Sequence, residues 1–336
     1  MKNMNVEQPV ADLVSSLEVG PPAVARNLSL YPLLQTTPAP AIWAAPYLLY
    51  EHAQAMSLVS IEEQGEGGVV SELVVHNMAP QPVLLVEGEV LLGMKQTRVL
   101  NITVLVPADS RLVVPVSCVE AGRWQSVSVQ AIGKASVNLA PSVRAAKTLT
   151  VARSVRSARS FASDQNAVWQ GVDRVLDAHD MPSSSRSYAA MAGEGAPQLT
   201  DLARTIRPTP GQVGVLACVG REIACVDIFE APAVLAGLWS GLVASYQADS
   251  LIAEADAVPS GIRMRSGVTK WFRTIAAAGS SDAPEVGLGR HLNLVAPGLE
   301  AAALVHDGRV LHLSAFPAHT TARPSTFVSP RRRRGR

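Results

Sequence analysis

Charged and amide side chains stand inside runs of Val and Leu at residues 83–124. Burying an unpaired charge costs several kcal/mol or more, so such side chains need partners. They form either a solvated sheet face with cross-strand ion pairs or a polar site built on rigid strands. The residues concerned are Glu87, Glu89, Lys95, Gln96, Arg98, Asn101 and Glu120.

Two carboxylates beside a cation and an amide are able to bind a polar ligand. One of them, Glu87 or Glu89, could also act as a general base if its pKa were raised. A two-residue turn at Gly93-Met94 places Glu89 opposite Arg98, whereas a three-residue turn places Glu87 opposite Asn101. The sequence leaves both strand registers open, and it leaves open whether any reaction is catalysed.

The end of the same stretch adds groups that suit a nucleotide. Arg123 is a candidate for holding phosphate and Trp124 for stacking on a base, with Glu120 beside them. Cys118 and Arg123 have the C-x4-R spacing of a rhodanese-like loop. However, a strand is predicted to follow, so no helix N-terminus lowers the pKa of the thiol, and a buried structural cysteine is favoured.

Other combinations of reactive residues are weaker. Cys218 and Cys225 are predicted to lie diagonally on one face of a hairpin and to pack in the core. His306 and His312 flank a hairpin without facing each other, so no metal site is predicted, and no cofactor either. A helix start is predicted with Ser163 as N-cap; Asp164-Gln165 either caps that helix or contributes to a site.

Composition limits the classes of protein. The chain has 336 residues, of which 48% are hydrophobic and 17% charged, which is typical of a globular protein with a sizeable core. Three cysteines form no disulfide framework, and neither a secretory signal nor a membrane span is predicted, so a cytoplasmic location is expected. The basic run Arg331–Arg336 is either a solvated, disordered end or a contact for nucleic acid.

The pattern of apolar residues and turns predicts the elements. Helices are expected at 47–56, 142–160, 164–179 and 232–254, and residues 256–285 are expected to be loop-rich. A hairpin is expected at 212–229, and an Asp-Gly turn at 307–308 predicts another. Strands are expected at 69–77, 83–92, 96–106, 111–119, 124–132, 291–295, 301–306 and 310–316.

These elements predict an α+β protein: an antiparallel β-meander packed with helices, plus a C-terminal hairpin–helix–strands unit. The predicted regions are an N-terminal extension (1–20), a mainly β region (21–133), a helical region (134–205), an α+β region sharing the same core (206–320) and the tail (321–336).

The motif E-G-E-x-L-x-G-x-K-Q-x-R-x-x-N at residues 87–101 is long and specific. With residues 69–77, 163–172, 224–251 and 310–317, it resembles the ARG and rhodanese-phosphatase-superfamily-associated protein domain of bacteria and archaea. The resemblance covers about residues 20–320. It implies a role near ADP-ribose or related nucleotide chemistry, in stress or conflict systems, with ADP-ribosylglycohydrolase or phosphatase-type proteins as partners.

Motif and resemblance together lead to one hypothesis and one alternative. The hypothesis is a cytosolic protein that binds an ADP-ribose, NAD-type or other nucleotide ligand and, in its stronger form, also processes it. Arg98 and Lys95 would hold phosphate, and Glu87 or Glu89 would hold ribose hydroxyls or activate water. The alternative is a non-catalytic interaction or scaffold protein in which the polar motif is a structural network.

Overall fold

The computed structural model describes residues 7–36, 45–65, 68–93, 95–122, 133–181, 183–192, 197–252 and 261–318. The strands are β1 Leu17–Val19, β2 Ala23–Ala25, β3 Leu28–Gln35, β4 Leu48–Leu49, β5 Val59–Glu63, β6 Glu72–Asn77, β7 Val83–Leu85, β8 Val90–Leu92, β9 Arg98–Leu100, β10 Val104–Val106, β11 Ser110–Cys118, β12 Gly133–Lys134, β13 Gln212–Val219, β14 Glu222–Phe229, β15 Gly279–Asp282, β16 Arg290–Ala296, β17 Leu299–His306 and β18 Arg309–Pro317. The helices are α1 Gln8–Ser15, α2 Tyr50–Ala55, α3 Pro141–Ala158, α4 Gln165–Ala178, α5 Pro197–Thr205, α6 Pro232–Ile252 and α7 Gly261–Ala276, with a 3-10 helix at Tyr188–Ala192.

A nine-stranded antiparallel sheet joins the N-terminal strands to the C-terminal half in the order β1-β3-β13-β14-β18-β17-β16-β15, with β2 paired to β3. Its hairpins lie where turn residues predict them. Asp307 and Gly308 have φ values of 49° and 74°, as a type I′ turn requires, and they connect β17 to β18.

The first half of the chain supplies two smaller sheets, of six strands (β12-β8-β9-β11-β6-β5) and three strands (β10-β7-β4). The α+β class is confirmed, but the strand order is more elaborate than sequential pairing. Each of the long strands predicted at 83–92 and 96–106 is divided into two short ones that join different sheets. The strand predicted at 124–132 lies outside the described residues, as does the tail.

Neither predicted register of the motif hairpin is correct. Leu91 pairs with Arg98 and Val90 with Val99, so the connection is longer than two or three residues. Because side chains alternate along a strand, this shift changes which polar groups share a face.

The helices at 142–160, 164–179 and 232–254 are confirmed within a few residues. The N-cap of α4 is Asp164, not Ser163: its carboxylate accepts from the backbone N–H groups of Asn166 and Ala167. The loop-rich prediction for 256–285 is wrong, because α7 occupies most of that range; its apolar residues Val268, Phe272 and Ile275 follow helical spacing.

Both faces of the nine-stranded sheet are covered. Helices α1 and α7 pack with Leu216 and Cys218 on one face, whereas α6 packs with Ala217 and Cys225 on the other. The prediction that the two cysteines share a face is therefore wrong, because a bulge between Ala217 and Cys218 shifts the register. Helix α3 lies against β14, β15, β17 and β18 of this sheet, and its Lys147 also donates to the backbone carbonyl of Asn101 in the first half of the chain. None of the described helices has the length and apolarity that crossing a membrane requires.

Candidate functional site

The two carboxylates of the E-G-E motif separate at a turn between β7 and β8. The backbone N–H of Glu89 donates to the carbonyl of Val86 at 3.1 Å, and Gly88 has a φ of 87°. Only glycine adopts such a φ readily, so the motif is a turn and not the continuous strand predicted from its apolar neighbours. Consequently Glu87 and Glu89 meet different partners.

Glu87 enters a fully buried ionic network with α3 and β14. Arg144 Nη2 lies 2.7 Å from Glu87 Oε2 and 2.6 Å from Asp227 Oδ1, and Lys147 Nζ lies 2.7 Å from Glu87 Oε1. Two cations thus balance two carboxylates. Burial opposes ionisation of both acids, but Arg144, with Lys147 beside Glu87 and His312 beside Asp227, lowers the pKa of each below its ordinary value.

Asp227 also orients a histidine. His312 Nε2 lies 3.4 Å from Asp227 Oδ1, and His312 Nδ1 lies 2.7 Å from the Thr103 hydroxyl. Phe229 stacks on the imidazole at 4.6 Å between ring centroids, which fixes its plane. The Tyr246 hydroxyl donates to Asp227 Oδ2 at 2.6 Å. The result is a carboxylate–imidazole–hydroxyl chain in the protein interior.

A cavity of about 30 Å³ lies beside His312 and Thr103, between α3 and the sheets. This volume holds about two water molecules. His291, Phe161 and His312 contribute rings to its wall. Its other polar groups come from Glu87, Asn101, Thr103, Thr148, Asn293 and Ser314.

Two hydroxyls in the cavity wall have no hydrogen-bond partner among the described residues: Thr148 Oγ1 and Ser314 Oγ. Both residues are buried, with exposed fractions of 4% and 1%. An unsatisfied buried polar group costs about 1–3 kcal/mol. These two hydroxyls are therefore available to a polar molecule that enters the cavity.

Of the predicted site residues that the structure describes, Glu87 and Asn101 line this cavity and the others do not. The Asn101 side chain accepts from Ser117 and donates to the carbonyl of Phe161, and its own carbonyl accepts from Lys147. Glu89 lies 3.0 Å from Lys134, on the far side of the turn.

Gln96, Arg98 and Cys118 form a separate buried group. Arg98 donates to Gln96 Oε1 at 3.2 Å and lies 3.8 Å from Glu63, while the Cys118 thiol donates to the same amide oxygen at 2.9 Å. Burial raises the pKa of the Cys118 thiol to about 11, which disfavours a nucleophilic thiolate. Lys95 lies beside Gly68 near this group.

Glu120 and Gln165 serve the local backbone. Glu120 accepts from the N–H of Thr97 at 2.8 Å, and the Gln165 amide bonds both the N–H and the carbonyl of Cys118. Arg123 and Trp124 lie outside the described residues. Within the described part of the chain, no three His, Cys, Asp or Glu side chains are grouped to hold a metal ion.

Sequence reasoning missed the partners of Glu87. Arg144 and Lys147 lie one turn apart on the buried face of α3, and Asp227 lies within the apolar strand ACVDIF. An aspartate in so apolar a strand signals a buried cation, because a lone buried carboxylate is too costly. The sequence pattern presents His312 only as a possible metal ligand and gives no signal for Thr103.

Replacing Gly88 by alanine is expected to destabilise the protein more than the same change at Gly211. Both glycines have positive φ, so both substitutions bear a backbone cost of about 1–2 kcal/mol. At Gly88, however, the new Cβ would lie 2.8 Å from Arg144 Nε, whereas nothing lies within 4 Å at Gly211. Urea unfolding of both variants measures the difference; equal losses would mean that Arg144 is not held against the turn.

The comparisons with known proteins give a family and no individual relative. Neither a curated protein nor a solved structure matches the chain. The model of one family matches residues 16–316, a range that contains the E-G-E turn, α3, Asp227 and His312. The chain therefore belongs to the family described as the ARG and Rhodanese-Phosphatase-superfamily-associated Protein domain.

Proposed function

We propose that this protein binds a hydroxyl-rich ligand of the ribose type, as found in ADP-ribose or NAD, in the cavity beside Glu87, Thr103 and His312. The observation that carries the proposal is the pair of buried hydroxyls, Thr148 and Ser314, that line this cavity without a partner among the described residues. Hydroxyl groups of a ligand both donate and accept, so they suit such a wall.

The charges of the site favour the ribose portion over the phosphates. Glu87 is ionised and accepts hydrogen bonds, whereas Arg144 and Lys147 are already neutralised by Glu87 and Asp227. A phosphate would find no surplus positive charge there, so the phosphates of a nucleotide would extend away from the network. A ribose ring exceeds the present cavity volume, so binding requires Phe161 and His291, which pack edge to face at its wall, to move apart.

The family name associates these proteins with ARG and rhodanese-phosphatase systems. In our proposal the ligand belongs to ADP-ribose chemistry, and ADP-ribosylglycohydrolase or phosphatase-type proteins are the functional partners, in a stress or conflict system. The binding step itself needs no cofactor.

Thermal-shift measurements with ADP-ribose, NAD, ribose and inorganic phosphate test the proposal. A ligand at about 100 times its dissociation constant adds roughly 2.7 kcal/mol of stability. ADP-ribose or ribose is expected to raise Tm, and phosphate alone is not. Thr148→Val removes one free hydroxyl at constant volume and is expected to weaken binding about 5- to 10-fold, since one hydrogen bond contributes about 1 kcal/mol.

A matched comparison locates the site. Arg98→Ala disturbs the separate group around Gln96 and Cys118, and Ala302→Leu fills the cavity. We expect the shift to be lost in Ala302→Leu and retained in a folded Arg98→Ala variant. The reverse pattern would place the ligand on the β8–β9 motif instead and would refute the cavity proposal.

The second candidate is a non-catalytic scaffold protein. It is favoured by the closed charge balance of the network, in which Glu87, Arg144 and Asp227 are each at most 2% exposed. Under this alternative no nucleotide or sugar changes Tm. Substitutions in the network lower the stability of the protein, and there is no ligand binding for them to weaken.

A further inference from the structure

A carboxylate, an imidazole and a hydroxyl are aligned in one chain at the cavity: Asp227, His312 and Thr103. The Thr103 hydroxyl lies 2.7 Å from His312 Nδ1, and His312 Nε2 lies 3.4 Å from Asp227 Oδ1. A nucleophile in hydrogen-bond contact with a base, itself oriented by a third group, is the arrangement of covalent acyl-transfer catalysis.

The chemistry of the partners sets the direction of the hydrogen bonds. Asp227 is an ionised acceptor, so Nε2 of His312 carries the proton and donates to it. In the neutral ring Nδ1 is then an acceptor, and the Thr103 hydroxyl donates to it. The backbone N–H of Glu87 donates to Thr103 Oγ1 at 3.0 Å, which fixes the rotamer of the hydroxyl. Thr103 is thus oriented with its proton directed at a base.

The same cavity supplies candidates for stabilising negative charge. The hydroxyls of Thr148 and Ser314 are both free to donate among the described residues, and both line the cavity with Thr103. Hydroxyl donors of this kind stabilise the oxyanion of a tetrahedral intermediate. The present cavity of about 30 Å³ leaves room beside Thr103 for a short acyl group, and the ribose-type alcohol would occupy the space that opens between Phe161 and His291.

We propose that Thr103 is the nucleophile of an esterase reaction that removes short acyl groups from hydroxyl-rich molecules. The proposal rests on the proposed function, because the alcohol portion of the ester is the ribose-type ligand. It adds a reaction to a site for which only binding was inferred above.

The reaction balances without any group beyond water. Thr103 Oγ bonds to the ester carbonyl carbon as its proton passes to His312 Nδ1. The C–O bond to the alcohol breaks, and His312 returns the proton to the departing alcohol oxygen. Water then attacks the acyl-threonine, again giving a proton to His312, and the carboxylic acid leaves as Thr103 regains its proton.

Incubation with p-nitrophenyl acetate, followed by mass spectrometry of peptides, tests the proposal in the full chain. We expect an acetyl group on the peptide that contains Thr103 and catalytic release of nitrophenol. Thr103→Val is expected to lower the rate at least about 100-fold, because it removes the nucleophile that forms the acyl-enzyme. Thr103→Ser keeps the hydroxyl and is expected to stay within about 10-fold of the wild type and to be acetylated at the same position.

Thr205→Ala, an exposed threonine on α5, is the control and is expected to change nothing. Acetylation confined to other residues, or equal rates for a folded Thr103→Val variant and the wild type, would overturn the esterase proposal. The Thr103→Ser variant keeps the test decisive if the valine variant fails to fold. Ribose-dependent shifts in Tm without acylation would leave the binding proposal standing alone, and acylation without any such shift would leave the esterase with another alcohol.

Discussion

Replacing Arg144 by methionine is expected to lower the free energy of unfolding by about 3–5 kcal/mol, the usual cost of breaking a buried ion pair. Arg144 is fully buried and donates to both Glu87 and Asp227, and its guanidinium also lies 5.1 Å above the Phe316 ring. Methionine fills much of the space but leaves two buried carboxylates with less compensation. Urea unfolding at neutral pH measures the loss.

The control lies on the same helix. Arg153 is exposed on α3, and Arg153→Met is expected to change stability by less than about 0.5 kcal/mol. Adding Asp227→Asn to Arg144→Met should recover part of the loss, because the neutral amide no longer needs a cation. Additive losses in the double variant would contradict direct coupling between the two side chains.

Stability is also expected to fall steeply in acid. Glu87 and Asp227 have a lower pKa in the folded protein than in the unfolded chain, so the unfolded chain binds more protons below about pH 4. Each group then contributes stability that is present above its unfolded pKa and is lost as the pH falls toward its folded pKa. The expected slope is up to about 1.4 kcal/mol per pH unit for each group.

The pH window of this measurement must exclude acidic groups whose pKa is raised on folding, because such groups stabilise the protein as the pH falls. Burial raises the pKa of Asp249 to about 6, so its contribution to stability grows as the pH falls from 6 toward its unfolded value near 4. Urea unfolding between pH 4 and pH 2 therefore excludes Asp249. Hydrogen bonds from Ser280 also lower the pKa of Glu7, which contributes in the same direction there, so the effect of Glu87 is read from the difference between the variant and the wild type. Glu87→Gln is expected to reduce the dependence of unfolding free energy on pH by the contribution of one group, up to about 1.4 kcal/mol per pH unit. An unchanged slope would show that Glu87 is not ionised inside the protein.

The success of the helix and hairpin predictions follows from local signals. Residues 142–181 contain no proline, which predicts α3 and α4, and the apolar run after Pro232 predicts α6. The Asp-Gly turn predicts the β17–β18 hairpin. Helix α7 contradicts the loop-rich prediction for residues 256–285, although Val268, Phe272 and Ile275 have helical spacing.

The wrong predictions of the β8–β9 register and of the sheet faces of the two cysteines have a different origin. The register of β8 and β9 depends on how the chain passes between two sheets, and the sides taken by Cys218 and Cys225 depend on one bulge. A shift of a single residue reverses every side chain of a strand, and no short-range signal fixes it.

The sequence by itself determined the α+β class, the family, most helix positions and the fact that Glu87 and Asn101 need polar partners. Only the tertiary structure decided which partners these are. Arg144, Asp227 and His312 are far from Glu87 in the chain and are brought to it by the packing of α3 against the nine-stranded sheet. The choice among possible ion pairs is a long-range property, because the energy of a buried charge depends on what the whole fold places beside it.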